Sequence, residues 1–369
     1  MKKKHQKTTS HKKAHKPRQK NNRKKGTKVN KVGKLQYTPS FFSPEKASQW
    51  YKPDLAAALR EGVEYGLKHG LKSAQELLKR GIAHLMMMTD LQGDFRDLGR
   101  LPVKGTDDVI LRTCIRLING TVEDFFAGLM FSLDGHPPFH MSFDHNWRDQ
   151  NGHPLDLSKH GGAAILTLVD EAKCVFKATA FNAQGPYDVG FYQARFDPKD
   201  SVAYWKYLQA TGQGPIWVFV PHCVIGTDGV NLHPLLAETI GFVCGARSMQ
   251  PTIISKGHLA NTDWFGPLEP CRPDTSHAQG GLQKNIIDTM KLFTTVEFTG
   301  VAEDFCDFNM KRQTMQHLAN TPFLGKLRFV KDGTAPIIPN AEHVQKLNKE
   351  ALAAGVKFID HDTPFAESV

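Results

Sequence analysis

Apolar residues along the 369-residue chain fall into two kinds of run. The first kind is short and strand-like: Ile82–Thr89, Phe125–Leu133 and Ile216–Val220 are nearly unbroken, and Thr252–Ser255, Thr295–Thr299 and Lys326–Val330 are shorter runs of the same kind. The unbroken runs predict strands covered on both faces, as in a parallel sheet. The second kind has apolar residues at helical spacing: Val109–Ile118, Leu235–Ala246, Gly280–Leu292, a segment opening by Asp304 with Phe305, Phe308, Met315 and Leu318, and Ala341–Ala354. The two kinds alternate. That order predicts an α/β fold, a central parallel sheet with helices on both faces and right-handed crossovers.

Two stretches break the alternation. Pro44–Arg80 carries Leu55, Leu59, Val63, Leu67, Leu71, Leu77 and Leu78 near helical spacing, interrupted by Gly62, Gly66 and Gly70. It predicts a two-helix extension over residues 37–81, ahead of a main domain at 82–369. Residues 144–213 read as an insertion in that domain. They hold a strand pair (Ala164–Val169 and Lys173–Phe181), the aromatics Tyr187, Phe191 and Tyr192, and a helix at Val202–Ala210. His145, His153 and His160 in this stretch are taken as surface residues.

Charge changes the picture at one end only. Residues 1 to 34 hold 13 Lys and 2 Arg and no acid, so the rest of the chain, with 32 basic and 37 acidic residues, is mildly acidic. Without aromatic and almost without aliphatic residues, the segment 1–36 cannot bury enough surface to fold alone and is expected to be a disordered tail. Lys2 to Lys34 could contact a polyanion by counterion release, direct the protein to the nucleus or to nucleic acid, or simply be solvated. A secretory signal needs an apolar core of about seven residues and a membrane span roughly 18; neither run is present, which predicts an intracellular, cytoplasmic protein. The six cysteines lack CxxC pairing, so neither a zinc ribbon nor a disulfide framework is indicated, and reduced thiols fit best.

Candidate chemistry collects where strands end. The first run ends at Asp90, the second at Asp134 followed by His136 and His140, the third runs into His222, the fourth delivers Lys256, and the fifth leads through Gly300 to Cys306. Open α/β sheets place ligands at that carboxyl edge. A cysteine in the first turn of a helix sits among free N–H groups and the positive end of the dipole, which favours the thiolate. Its plain alternative is a small buried core thiol. A carboxylate, a lysine and a thiol make an activated nucleophile with an acid/base partner. Asp134, His136 and His222 offer oxygen and nitrogen donors suited to zinc, iron or manganese, or form a hydrogen-bonded cluster. His233, beside Pro234, reads as a helix-start residue.

In this order the pieces resemble the nicotinamidases, within the isochorismatase-like cysteine hydrolases. The matching segments are Asp90-Leu91-Gln92-Gly93-Asp94-Phe95, Asp134-Gly135-His136-Pro137 with His140 and Ser142-Phe143, Pro221-His222-Cys223-Val224 through Gly226-Thr227 to Leu232-His233-Pro234, Lys256-Gly257, and Gly300 through Cys306. They span about residues 82 to 335. The resemblance implies a three-layer α/β/α domain in which Cys306 is the nucleophile, Asp90 the acid/base and Lys256 the third triad member. It implies one divalent metal, zinc first, with iron or manganese as alternatives, on Asp134, His136 and His222, with His140 a fourth ligand directly or through water. It further implies a cis Val301–Ala302 bond, an oxyanion hole from the N–H groups of Ala302 and Cys306, and aromatic walls at Phe95 and Phe219.

The implied activity is hydrolysis of nicotinamide to nicotinate and ammonia through a cysteine thioester, in NAD salvage, with a homo-oligomer among the expected partners. The alternatives are a related amidohydrolase acting on another small carboxamide, and an inactive hydrolase-fold protein that binds nucleic acid through its basic tail. Isochorismatase proper is disfavoured, because vinyl-ether hydrolysis does not use a cysteine nucleophile. Departures from the family pattern are Gly93 where Asn is usual, Phe219 where Trp is common, and Asp307 directly after the nucleophile. An acid at 307 is expected to raise the thiol pKa.

Overall fold

The structure, a computed structural model, describes residues 33–182 and 184–369. Residues 1–32, and with them nearly all of the expected basic tail and its polyanion contact, lie outside the described residues. Described residues ahead of position 37 are bonded to the rest of the fold. The Gly33 N–H donates to His361 Nε2 at 3.2 Å, and Asn119 bonds Lys34 O at 3.1 Å and Gln36 N at 2.9 Å.

In chain order the first elements are α1 (Leu55–His69), α2 (Ala74–Lys79), β1 (His84–Thr89), α3 (Thr106–Val122) and β2 (Phe126–Asp134). There follow β3 (Trp147–Arg148), β4 (Ala163–Asp170), β5 (Val175–Asn182), β6 (Gly185–Ala194), α4 (Pro198–Ala210) and β7 (Ile216–Phe219). The last part holds α5 (Pro234–Arg247), β8 (Thr252–Lys256), α6 (Lys284–Met290), β9 (Thr295–Val301), α7 (Cys306–His317), β10 (Leu327–Ala335), α8 (Glu342–Ala353) and β11 (Lys357–Ile359).

Six strands form one sheet in the order β11-β10-β9-β1-β2-β8, every pair parallel. Alternation along β1 shows why its apolar run is unbroken. Met86 and Met88 pack with α3 and α5, whereas Leu85 and Met87 pack with α6, α7 and α8, so both faces of the strand need apolar residues. This is the expected three-layer α/β/α arrangement. Glu297 is the exception on a central strand. It is fully buried and takes a two-bond ion pair from Arg116 on α3 at 2.6 Å, while that guanidinium also holds His361 O, Thr363 O and Ser368 Oγ, tying down the C-terminal residues.

The structure corrects three expectations. Ile216–Phe219 does not join the parallel sheet: as β7 it pairs antiparallel with β4, Ala163 opposite Phe219, in a second sheet of order β3-β6-β5-β4-β7. A short apolar strand covered on both faces looks the same in either sheet, so its pattern cannot choose the partner. The insertion holds a third long strand, β6, beyond the expected pair, and with α4 it encloses its own core around Trp147, Phe176, Tyr204 and Val218. Finally, Gly62 and Gly66 do not break the lead-in helix. A Cβ on Gly62 would stand 2.1 Å from the Phe242 carbonyl oxygen and one on Gly66 2.6 Å from that of Ala246, so these glycines let α1 and α5 cross backbone to backbone. Among the described residues no helix is long and apolar enough to cross a membrane.

Candidate active site

β9, β1, β2 and β8 are successive neighbours and end at one edge of the parallel sheet, and the turn after β9 leads into α7. The chain leaves β1 through Asp90 at φ 50°, in the left-handed region. The Asp90 carboxylate is fully buried, accepts from Ser132 Oγ at 2.6 Å and pairs with Lys256 Nζ at 2.8 Å. The same ammonium lies 3.7 Å from Cys306 Sγ and 3.2 Å from Asp134 Oδ1. Oxygens of Asp90 and Asp134 and the Cys306 sulfur lie within 4.8 Å of one another. The structure therefore brings together the three residues the sequence singled out at separate strand ends.

Their electrostatics differ from the expectation of a thiolate stabilised by the helix start. Burial pushes the Cys306 thiol well above its ordinary value; Lys256 pulls against this, and the Asp90 and Asp134 carboxylates add to the rise. Burial likewise raises Asp90 against the pull of Lys256. For Lys256 burial alone would lower the pKa, but Asp134 and Asp90 carry it well above the usual ammonium range. The resting pair is thus a thiol beside a carboxylate that accepts a proton more readily than an exposed one, with a fixed positive charge between them. Asp307 does not contribute as expected. Its carboxylate turns to Lys311 Nζ at 2.5 Å and Thr334 Oγ1 at 3.1 Å, on the other side of the helix start.

Asp134 Oδ2 lies 3.0 Å from His136 Nε2 and 3.9 Å from His222 Nε2. Each imidazole is oriented from its far side, His136 Nδ1 to Gly257 O and His222 Nδ1 to Val220 O, both at 2.9 Å. A ring that donates from Nδ1 to a carbonyl presents a bare Nε2, the form that ligates metals. Gly257, at φ 79°, leaves room for this: a Cβ there would stand 2.3 Å from Asp134 Oδ1 and 2.8 Å from the His136 ring. The three donors, clustered within 4.8 Å, fit one divalent ion. His140 differs from its expected place as a fourth ligand. Its Nδ1 accepts from the Ser142 N–H and its Nε2 faces Thr262 O, each at 3.2 Å, so both nitrogens are engaged by backbone.

Above these groups opens a cleft whose lining includes Asp134, His136, His222, Ala302 and Cys306. Phe95 and Phe219 line it, and the Val301–Ala302 bond is cis. Sequence reasoning missed Asp263, Trp264, Phe265 and Phe305 as wall residues, and Ser132 as the partner of Asp90. A hydroxyl in an otherwise apolar strand was the available signal for Ser132; the 263–265 loop has no periodic pattern to mark it. Asp263 accepts from Ser142 Oγ, and burial raises its carboxyl to about 7. A second, larger groove shares Asp263, Phe265 and Phe305 with the cleft. His233 caps α5, its Nδ1 accepting from the Leu235 N–H at 3.2 Å.

No protein-family description matches this chain, and no curated protein matches it. Solved structures it is similar to include nicotinamidases, pyrazinamidases, an N-carbamoylsarcosine amidase and an isochorismatase-like hydrolase. The yeast nicotinamidase Pnc1p bound to the inhibitor nicotinaldehyde is 16% identical, with 75% of this chain and 99% of that chain covered and a TM-score of 0.45. A Pyrococcus horikoshii pyrazinamidase in complex with zinc is 16% identical over 75% of this chain and 98% of its own, with a TM-score of 0.41. The N-carbamoylsarcosine amidase from Thermoplasma acidophilum is 12% identical over 76% and 98%, with a TM-score of 0.38.

Proposed function

We propose that this protein is a cysteine amidohydrolase acting on a small aromatic carboxamide, nicotinamide first, to give the acid and ammonia. One observation carries the reading: a buried ammonium, Lys256, stands 2.8 Å from a carboxylate and 3.7 Å from a thiol at the floor of an aromatic-walled cleft. In this reading Cys306 Sγ attacks the carboxamide carbon while Asp90 takes the thiol proton, forming the C–S bond and an oxyanion. The N–H groups of Ala302 and Cys306 receive that oxyanion, each worth about 3 to 4 kcal/mol by the usual cost of losing such a donor. Collapse breaks the C–N bond, and the proton on Asp90 leaves with the amine as ammonia. Water then attacks the thioester, gives its proton to Asp90, and the thiol is restored as the acid departs.

Asp134, His136 and His222 would hold the divalent ion, zinc, iron or manganese. When bound, it would supply a Lewis-acidic position for a ring heteroatom, and so orientation of the substrate. Lys256, shared between Asp90 and Asp134, couples the two halves of the site. Such a reaction returns nicotinamide to NAD salvage as nicotinate.

The test is ammonia release by purified protein from nicotinamide, pyrazinamide and a series of larger and aliphatic amides, with and without chelator. Release from nicotinamide that vanishes in Cys306→Ala supports the reading. Release from none of the amides by metal-loaded protein removes it, and preference for a longer amide moves the substrate toward the adjoining groove.

A further inference from the structure

The loop from Leu91 to Phe95 fastens both ligand-bearing segments. Gln92 accepts from the Asp134 N–H and donates to the Asp134 carbonyl, each at 2.8 Å, and donates to Val230 O at 2.7 Å. Asp94 accepts from the N–H of Cys223, next to His222, at 2.7 Å. Between them is Gly93. A Cβ at this position would stand 2.6 Å from the Trp50 ring and 3.3 Å from Gly229 Cα, so the indole packs directly on the glycine, beside a neighbouring turn. On the turn side the Gly93 N–H donates to Asn231 O and the His233 N–H to Leu91 O, both at 3.0 Å.

Trp50 belongs to the N-terminal extension, and that segment is firmly anchored. Its ring meets His233 edge to face at 6.2 Å between centroids and lies under the Arg96 guanidinium at 5.9 Å. Three groups around it converge on the buried Glu238 of α5: Tyr51 Oη at 2.6 Å, the Asp54 N–H at 3.0 Å and Lys46 Nζ at 3.8 Å. The glycine seam between α1 and α5 then holds the chain that follows.

We infer that Trp50 is a positioning residue for the ion-binding group, bracing Gly93 from outside so that Gln92 and Asp94 hold Asp134 and His222 in place. The inference rests on the metal reading proposed above. Without the indole the 91–95 loop loses the ring that packs on Gly93, both ligand segments gain freedom, and binding an ion must then order them. Because Trp50 is 37% exposed, its removal opens onto solvent and leaves no sealed cavity.

The experiment uses full-length, metal-stripped protein, zinc affinity by competition with a chromophoric chelator, and the melting temperature of the metal-free form. Trp50→Ala is expected to weaken zinc about 10-fold, the lower end for residues behind metal ligands, with the metal-free melting temperature almost unchanged. Trp50→Phe keeps a ring against the loop and retains most of the affinity. Gly93→Ala weakens zinc in the wild-type background, where its methyl meets the indole, and costs less in the Trp50→Ala background. Wild-type affinity in Trp50→Ala overturns the inference, as does an equal Gly93→Ala loss in both backgrounds. So does a parallel fall of affinity and metal-free melting temperature that Trp50→Phe does not restore. His136→Ala separates the two readings: if it leaves zinc binding intact, the metal reading itself fails; if it abolishes binding while Trp50→Ala does nothing, only the bracing role fails.

Discussion

The two sheets contribute to the cleft in different ways. Asp90 ends the central strand β1 and Cys306 opens the helix after the central strand β9, while Lys256 ends the edge strand β8, on which Ile253 is exposed and Lys256 itself is buried. Phe219 closes β7 of the antiparallel sheet, which has a core of its own. Reacting groups thus sit on one layer, and part of the wall sits on a layer built separately. This division predicts that substitutions in the first set act on turnover, and those in the second on substrate affinity.

The largest expected effect is that of Cys306→Ala. Ammonia release should fall by about four orders of magnitude or more, as when a nucleophile is deleted from a triad, with an unchanged melting temperature. Residual activity within tenfold of wild type would place the nucleophile elsewhere. Lys256→Met should act on turnover and folding together. It leaves the Asp90 and Asp134 carboxylates buried without their ammonium, and breaking such a pair costs about 3 to 5 kcal/mol. Denaturant titration showing less than 1 kcal/mol lost would mean that the pair is not buried as described.

The pH profile tests the base. Burial raises Asp90, and the base must be deprotonated to take the thiol proton, so kcat/KM falls as pH drops through that raised pKa. The acid limb should lie above about 4, the ordinary carboxylate value; a limb at or below it would take the proton-accepting role away from Asp90. The smallest effect is that of Phe219→Ala. Loss of one aromatic wall contact should raise KM about tenfold and leave kcat within a few fold, and a kcat loss as large as that of Lys256→Met would dissolve the division between the sheets.

Much of this was legible in the chain, for physical reasons that differ by residue. Met86 to Met88 had to be apolar on both faces, so β1 and its carboxyl end at Asp90 could be read directly. Asp134, His136, Lys256 and Cys306 follow the same kind of strand end, which marked them before any distance was known. His233 announced a helix start through Pro234. The wall residues Trp264 and Phe265 come from a loop, where no period distinguishes a residue facing a cleft from one facing solvent. Asp307 looked like a threat to the thiol, but the i,i+4 partner that neutralises it, Lys311, could be weighed only once the helix start was placed.

By itself the sequence determined the parallel layer, the strand ends and the set of side chains gathered there, because burial period and turn chemistry are written locally. Tertiary structure alone decided that β7 joins the second sheet, that both nitrogens of His140 are engaged by backbone, that Cys306 rests as a thiol, and that Trp50 lies on Gly93. Each of these depends on distances between segments far apart in the chain, where pairing, desolvation and charge act through space and leave no periodic trace.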